Sequence, residues 1–317
     1  KILEAILRWN QTGITVAGIS GQSGTAANRL NSPKGVTVDW SHSIYVADSG
    51  NNRIQYYPRG ALSGITVCGQ SNGASGSDAS HLFNPWKVMV ENEGDIYVVD
   101  RDNHRIQLWK FNSSFGLTVA GLGVLGSNDS QLYRPQDIFR DEKSGALYIA
   151  DTYNHRIIRY FRNESSGTVV AGGNGPGKSK TQLFYPTGVR FGVSTDILII
   201  PNFSSHTIVQ WRIGDNEWKL FTGNINGTAG STSTELSGPE CLGTDPMGNF
   251  YVADKANHRV QFFPADQRNG LTIAGNTGIL GNNSTLLSSP MDVALDTQLN
   301  LYVADMLNHR IQKFLRY

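Results

Sequence analysis

Residues 301–312 read Leu-Tyr-Val-Ala-Asp-Met-Leu-Asn-His-Arg-Ile-Gln, and close copies of this stretch recur along the chain. In each copy an aspartate is followed five residues later by an arginine. The five copies are Asp48/Arg53, Asp100/Arg105, Asp151/Arg156, Asp254/Arg259 and Asp305/Arg310. A sixth, degenerate copy at Pro201/Thr207 has lost both the acid and the base. A unit of about 51 residues is too small to bury a core alone, so the spacing predicts a repeat protein.

Each repeat contains four short apolar segments, which in the first repeat are residues 33–39, 44–48, 53–57 and 65–69. They are rich in Val, Ile, Thr and Tyr and are separated by Gly, Asn, Asp and Ser, which is typical of β-strands joined by tight turns. Six such units predict one all-β domain over residues 1–317, a six-bladed β-propeller of four-stranded antiparallel blades. We expect the blades to start near residues 33, 85, 135, 186, 239 and 290.

The two ends of the chain indicate how the ring closes. The chain ends on a third strand, and a lone fourth strand at 14–18 precedes the first blade. We therefore expect the N-terminal strand to complete the last blade. Residues 1–13 form an N-terminal extension, of which 1–9 are surplus to the strand count. This segment is expected either to fold back on the outer rim or to add to the edge of another subunit, which would give self-association.

The aspartate and arginine of each copy are predicted to be a structural pair. The aspartate ends the second strand and the arginine begins the third, so a guanidinium–carboxylate contact would tie the turn between them. The Asn and His of the motif are expected to fill the remaining hydrogen bonds of that turn. In the degenerate copy Pro201 stands for the acid and Thr207 for the base, which avoids a lone buried charge.

The motif Tyr-Val-Ala-Asp-x-x-Asn-His-Arg-Ile-Gln, with the preceding Pro-x-Gly-Val-x-Val-Asp strand, resembles the NHL repeat family. The resemblance covers essentially the whole chain and implies a six-bladed propeller. One branch of the family, the peptidylamidoglycolate lyases, uses zinc-bound histidines, a tyrosine and an arginine in the channel. Those residues do not map onto this chain, because its histidines lie in the repeat turns. Another branch binds RNA through a basic, aromatic top face.

Composition and motifs argue against several classes of function. Lys plus Arg number 27 against 26 for Asp plus Glu, so no global charge favours nucleic acid. There is no run of about 18 apolar residues that would span a membrane. We also find no nucleophile elbow, phosphate loop or calcium loop. The sequence therefore predicts no enzyme activity, no metal and no cofactor. The alternative is a lyase or hydrolase with its site in the channel mouth.

Charged residues at the start of the first strands are the candidate ligand site. The first strand of a propeller blade is innermost, so residues just after each proline should ring the channel mouth. Lys87, Asp137, Arg190 and Asp292 are predicted to converge there as a small polar cluster, where propellers usually bind ligands. The alternative is that these charges only solvate a water-filled channel.

Asn-x-Ser/Thr sequons between the predicted strands indicate an exported protein. The candidate glycosylation sites are Asn10, Asn112, Asn128, Asn163, Asn202, Asn226 and Asn283. Apolar loop tips such as Leu82-Phe83 and Leu183-Phe184 are expected either to staple the loops to the propeller or to anchor a partner. These observations predict a secreted, glycosylated scaffold that associates with other proteins or with itself, through its loops or through segment 1–9.

Overall fold

The computed structural model of the chain describes residues 7–192 and 196–317. This part of the chain contains six antiparallel sheets of four strands, and neighbouring strands in each sheet are joined by hydrogen bonds. The sheets are the six blades of a β-propeller, as the repeat predicts.

The strand bounds follow the four-segment pattern of each repeat. The first strand of the chain is β1 (Ile14–Gly18). Blade 1 comprises β2 (Gly35–Val38), β3 (Ile44–Asp48), β4 (Arg53–Tyr57) and β5 (Ile65–Gly69). Blade 2 comprises β6 (Val88–Val90), β7 (Ile96–Asp100), β8 (Arg105–Trp109) and β9 (Gly116–Ala120). Blade 3 comprises β10 (Asp137–Arg140), β11 (Leu147–Asp151), β12 (Arg156–Tyr160) and β13 (Thr168–Gly172).

The second half of the ring repeats this arrangement. Blade 4 comprises β14 (Arg190–Phe191), β15 (Ile197–Asn202), β16 (Thr207–Arg212) and β17 (Lys219–Gly223). Blade 5 comprises β18 (Pro239–Thr244), β19 (Phe250–Asp254), β20 (Arg259–Phe263) and β21 (Leu271–Gly275). Blade 6 comprises β22 (Pro290–Leu295), β23 (Leu301–Asp305) and β24 (Arg310–Phe314).

Blade 6 receives its fourth strand from the other end of the chain. β1 pairs antiparallel with β24, with Ile14 opposite Lys313 and Gly18 opposite Arg310. The predicted closure by the N-terminal strand is confirmed. Hydrogen bonds between residues almost 300 positions apart therefore hold the ring together.

The turns divide the propeller into two faces. The face called upper here carries the linkers between blades and the turns between second and third strands; the opposite face is called lower. Each upper turn is a single 3-10 turn, and together these are Ser49–Asn51, Arg101–Asn103, Thr152–Asn154, Phe203–Ser205, Lys255–Asn257 and Met306–Asn308. First strands of neighbouring blades contact one another, as β2 does β22, and so form the innermost ring.

Apolar side chains fill the spaces between the blades, and the linkers contribute one leucine to each. These leucines are fully buried: Leu30, Leu82, Leu132, Leu183, Leu236 and Leu287. The apolar loop tips thus staple the linkers to the propeller. The neighbouring Phe83 is 44% exposed and lies on the upper face.

The described end of the N-terminal extension packs on its own propeller. Trp9 is 2% exposed, lies edge-on to Tyr251, and donates through Nε1 to the carbonyl of Leu299 at 2.8 Å. The N–H of Tyr317 donates to the carbonyl of Arg8 at 3.0 Å. Residues 7–9 thus fold back on the rim, whereas the rest of segment 1–9 lies outside the described residues. None of the helices in the described ranges has the length and apolar character to cross a membrane.

Candidate functional site

In the structure each motif aspartate lies beside the arginine of its own turn. The Nε atom of Arg53 donates to Oδ2 of Asp48 at 2.8 Å, and Arg105 donates to Asp100 at 2.7 Å. The pairs Asp151/Arg156, Asp254/Arg259 and Asp305/Arg310 repeat this contact at 2.8 Å. Burial raises the pKa of the five carboxyl groups, against the opposing effect of the arginine and of the hydrogen bonds they accept.

The arginine also holds the linker that precedes its blade. Arg105 donates through Nη1 to the carbonyl of Ser77 at 2.7 Å, and through Nη2 to those of Asp78 at 2.9 Å and His81 at 3.3 Å. The partner carboxylate of Asp100 accepts the backbone N–H of Phe83 at 2.7 Å. The pair therefore fastens the linker to the turn and fixes the shape of the upper face, a role wider than the predicted one.

The sequence analysis placed the hydrogen bonds of the motif histidines within their own turn, but in the structure their side chains bond to the next blade. Their Nδ1 atoms accept the backbone N–H of the residue before the next proline. The contacts are His104–Arg134, His155–Tyr185, His206–Gly238, His258–Ser289 and His309–Ser32, at 3.0 to 3.2 Å. At the remaining junction Oδ1 of Asn52 accepts from Asn84 at 2.9 Å. The left-handed backbone of these residues aims the ring at the neighbouring blade.

Blade 4 departs from the sequence prediction in its acid position. Asn202, not Pro201, lies opposite Thr207, and its Oδ1 accepts the backbone N–H of Phe184 at 2.6 Å. The spacing from Asn202 to Thr207 equals that of the Asp–Arg pairs, so an amide of the same shape replaces the acid. Because a neutral Thr207 replaces the base, the exchange leaves no buried lone charge.

Trp218 takes over part of the missing arginine's role in blade 4. Its Nε1 donates to the carbonyls of Ser179 at 3.0 Å and Gln182 at 2.9 Å. These correspond to the two carbonyls that Nη2 of Arg105 binds in blade 2, since the linkers close alike through Gly76 and Gly177. The sequence carries no signal for this substitution, because Trp218 lies outside the motif.

The predicted glycosylation sites differ in exposure. Asn202 is 0% exposed and belongs to the buried turn just described, so the folded protein has no room for a glycan on its side-chain nitrogen. The structure therefore argues against Asn202 as a glycosylation site. The other acceptors are exposed: Asn10, Asn112, Asn128, Asn163, Asn226 and Asn283.

The four predicted channel residues do come together, but as two ion pairs. Nζ of Lys87 lies 2.6 and 2.7 Å from the two carboxylate oxygens of Asp292 and 3.7 Å from Sγ of Cys241. Nη1 of Arg190 lies 2.6 Å from Oδ2 of Asp137. Burial lowers the pKa of Lys87, but the electrostatic effect of its neighbours, above all the carboxylate of Asp292, outweighs it and leaves the pKa above its usual value. The four side chains form two ion pairs and carry no net charge together. We call these four residues, which occupy the channel, the charged plug.

A depression of about 260 Å³ lies on the upper face at the level of the turns. Its lining includes Trp86, Arg101, Gln136, Tyr153, Glu240 and Lys255. Trp86, Gln136 and Glu240 each follow a repeat proline directly, one position before Lys87, Asp137 and Cys241 respectively. The sequence analysis missed this layer because it selected only Lys87, Asp137, Arg190 and Asp292, which lie two or four residues after a proline.

Aromatic side chains extend from this depression across blades 2 to 4. Tyr133 and Tyr153 have ring centroids 5.2 Å apart, and Tyr153 and Tyr185 5.0 Å apart. Phe184 stacks on Tyr185 at 5.5 Å. We call these four residues the aromatic strip. All are half-buried, so each ring presents part of its surface to solvent. The other blades have Asn, Ser or Gly at the corresponding linker positions, apart from Phe83 of blade 2.

Charged groups surround the aromatic residues in pairs. Nη1 of Arg101 lies 2.7 Å from Oδ1 of Asp102, and Nε of Arg134 lies 3.2 Å from the same oxygen. Nζ of Lys255 lies 3.0 Å from Glu240. Nζ of Lys34 lies 3.8 Å above the Trp86 ring, and burial and the charge of Arg101 lower the pKa of Lys34 to about 8.

Within residues 7–192 and 196–317, no three His, Cys, Asp or Glu side chains are grouped as they would need to be to hold a metal ion. Both cysteines, Cys68 and Cys241, are buried free thiols.

Comparison of the sequence with known proteins finds the repeat seen in this chain. The family described as NHL repeat matches residues 30–57, 84–108 and 236–263. NHL repeat-containing protein 2 of Bos taurus is 24% identical over 340 residues, covering 88% of this chain and 46% of that protein. Protein SUPPRESSOR OF QUENCHING 1, chloroplastic, of Arabidopsis thaliana is 25% identical over 211 residues, covering 58% of this chain and 20% of that protein. The chain thus spans less than half the length of either relative.

Solved structures share the fold at low sequence identity. A gluconolactonase of Xanthomonas campestris superimposes with a TM-score of 0.66 at 11% identity, covering 96% of this chain and 97% of that one. This likeness concerns the fold alone. The matched family agrees with the repeat motif, and the chain contains NHL repeats and folds as a six-bladed β-propeller.

Proposed function

We propose that this propeller is a secreted, N-glycosylated scaffold that binds a protein partner through its upper face, centred on blades 2 to 4. The aromatic strip is the observation that carries the proposal. Tyrosine, tryptophan and arginine dominate the binding energy of protein interfaces, because they bury a large area at a small entropic cost. Tyr153 lies between Tyr133 and Tyr185 and lines the depression, so it is the expected centre of the interface.

The charge arrangement favours a protein over a nucleic acid. A phosphate backbone requires a row of cations that are free to neutralise successive charges. Here Arg101 and Arg134 share Asp102, and Lys255 pairs with Glu240. Such paired groups are typical of the polar rim of a protein interface.

The proposal assigns no catalytic role to the channel. Lys87 and Arg190 are each paired with an aspartate, so neither of these two side chains is a free base. It also uses the loops and not the N-terminal segment, because Trp9 is buried in the blade of its own chain. The proposed secretion rests on the six exposed sequons, which lie at loops and at the rim.

Phage display of random dodecapeptides on the immobilised protein tests this function. We expect selected peptides to lose at least about tenfold in affinity for Tyr153→Ala, as an interface centre predicts. Trp40→Ala is the matched control, since Trp40 is 73% exposed on the lower face. Peptides that bind Tyr153→Ala as well as the unmodified protein, or that depend on Trp40, would refute the proposal.

A further inference from the structure

We propose that the depression binds a carboxylate side chain of an acidic peptide segment, with Arg101 as its donor and Gln136 as the acceptor for an adjacent peptide N–H. This inference rests on the proposed function and identifies the chemistry of the partner. It concerns the layer of residues above the charged plug, which the repeat does not determine.

Arg101 supplies an unused hydrogen-bond donor. The residue is 7% exposed, its guanidinium lies 4.3 Å from the centre of the Trp86 ring, and Nη2 lies 3.4 Å from the hydroxyl of Tyr153. Its Nε atom is buried and has no hydrogen-bond partner among the residues that the structure describes. A carboxylate is the acceptor that a guanidinium N–H binds most strongly. Trp86 and Tyr153 hold this donor in a fixed orientation.

Gln136 supplies an unused acceptor in the same depression. The residue is 7% exposed, and its Oε1 atom is buried without a partner in the described ranges. A buried acceptor of this kind is costly to leave unpaired. The donor and the acceptor together complement a peptide segment, which carries an N–H next to an acidic side chain. A fully deprotonated inorganic anion such as sulfate has no donor for Gln136.

The local charge favours an anionic guest of low charge. Lys34, Arg101, Arg134 and Lys255 face two carboxylates, Asp102 and Glu240, which leaves an excess of two positive charges. This excess attracts one or two carboxylates, whereas a polyanion would require more free cations. A depression of about 260 Å³ is small for a ligand site and suits a single side chain.

The plug beneath the depression limits how deep a guest can enter. Lys87 with Asp292, and Arg190 with Asp137, occupy the channel at the next level. Their charges balance, so they neither attract nor repel an incoming carboxylate. Selectivity for an acidic group therefore depends on Arg101 and its neighbours on the upper face.

The test uses two matched arrays of octapeptides, one with Glu at the fifth position and the other with Gln, with the same neutral flanking residues. We expect the protein to prefer the Glu peptides at least tenfold. Arg101→Gln should abolish the preference, and Gln136→Glu should reverse it by repulsion. Arg101→Lys, which keeps the positive charge and can keep a cation–π contact with Trp86, guards against misfolding: it should retain binding to Glu peptides at reduced affinity.

The failures of this inference and of the proposed function are distinguishable. Equal binding of Glu and Gln peptides, both weakened by Tyr153→Ala, would overturn the carboxylate site and leave upper-face recognition standing. Binding that is indifferent to Tyr153→Ala would overturn both. A single-stranded RNA decamer that binds through Arg101 while the Glu peptides do not would replace the peptide by a nucleic acid and so overturn the inference.

Discussion

The Nδ1 atom of His309 accepts a hydrogen bond of 3.1 Å from the backbone N–H of Ser32, and this contact joins the last blade to the first. Equivalent contacts occur at the other blade junctions, where Asn52 replaces histidine between blades 1 and 2. The ring is thus closed twice, by the pairing of β1 with β24 and by this circle of side-chain acceptors. A histidine can accept at Nδ1 only while that nitrogen carries no proton.

The histidines at the blade junctions predict that the protein loses stability in mild acid. Burial lowers the pKa of His104, His155, His206 and His309 below the ordinary value. The unfolded chain therefore binds more protons than the folded one below about pH 6.5, and stability falls as pH drops through that value. The charged groups around these rings are Asp102, Arg101 and Arg134 at His104, Lys178 and Asp254 at His206, and Asp305 at His309.

Asparagine at these four positions should flatten the pH dependence. Asn52 shows that the amide oxygen makes the same junction contact, and asparagine tolerates the left-handed backbone. We expect the thermal midpoint of the fourfold His→Asn variant to change less between pH 7 and pH 5 than that of the unmodified protein. An equal decline in both proteins would show that other groups cause the acid sensitivity.

Removing one motif arginine should be costly because it isolates a buried carboxylate. Arg105→Met leaves Asp100, which is 0% exposed, without its counter-charge, and we expect a loss of about 3–5 kcal/mol in unfolding free energy. Asp100→Asn/Arg105→Met restores neutrality as blade 4 does, and denaturant titration should find it more stable than the single variant. The opposite order would mean that the charge pair contributes little.

The sequence predicts the fold well because the same strand, turn and ion-pair pattern recurs in each repeat. The spacing of Asp48 and Arg53, and of each later pair, fixes the strand ends and the turn. The repeat also predicts that Lys87, Asp137, Arg190 and Asp292 lie together, because they belong to the first strands, which are innermost. It does not show that these charges pair across the channel, because that depends on which blades face each other.

Two features of the upper face could not be predicted from the sequence, for a different reason. Trp218 replaces an arginine function from outside the motif, so no alignment of the repeats finds it. The burial of Asn202 follows from its place opposite Thr207, which the change to Pro201 obscures. Both occur in the blade where the motif is degenerate and tertiary contacts compensate.

Trp218→Phe should destabilise the protein through lost hydrogen bonds. Phenylalanine retains an aromatic ring but leaves the carbonyls of Ser179 and Gln182 without their donor, at a cost of about 1–3 kcal/mol. Trp109→Phe is the matched control. Trp109 is 2% exposed and its Nε1 has no partner in the described part of the chain. Denaturant titration should therefore find a smaller loss for Trp109→Phe, and equal losses would contradict the assignment.

Glycan mapping separates Asn202 from the exposed sequons. After expression through a secretory pathway, mass spectrometry should find Asn202 unmodified and glycans at exposed acceptors such as Asn112 and Asn163. Asn128→Gln should leave the thermal midpoint unchanged, because Asn128 is exposed and does not have a left-handed backbone. Asn202→Gln should lower it, because the longer side chain cannot keep the contact with Phe184. A glycan on Asn202 of the folded protein would contradict its burial.

Hydrogen–deuterium exchange with a selected peptide tests upper-face recognition most directly. We predict that bound peptide slows amide exchange in residues 101–104, 133–134, 152–155 and 184–185, which carry Arg101 and the aromatic strip. Exchange in the lower turns at 39–43 and 91–95 should be unchanged. Protection confined to those lower turns, with none on the upper face, would contradict the account.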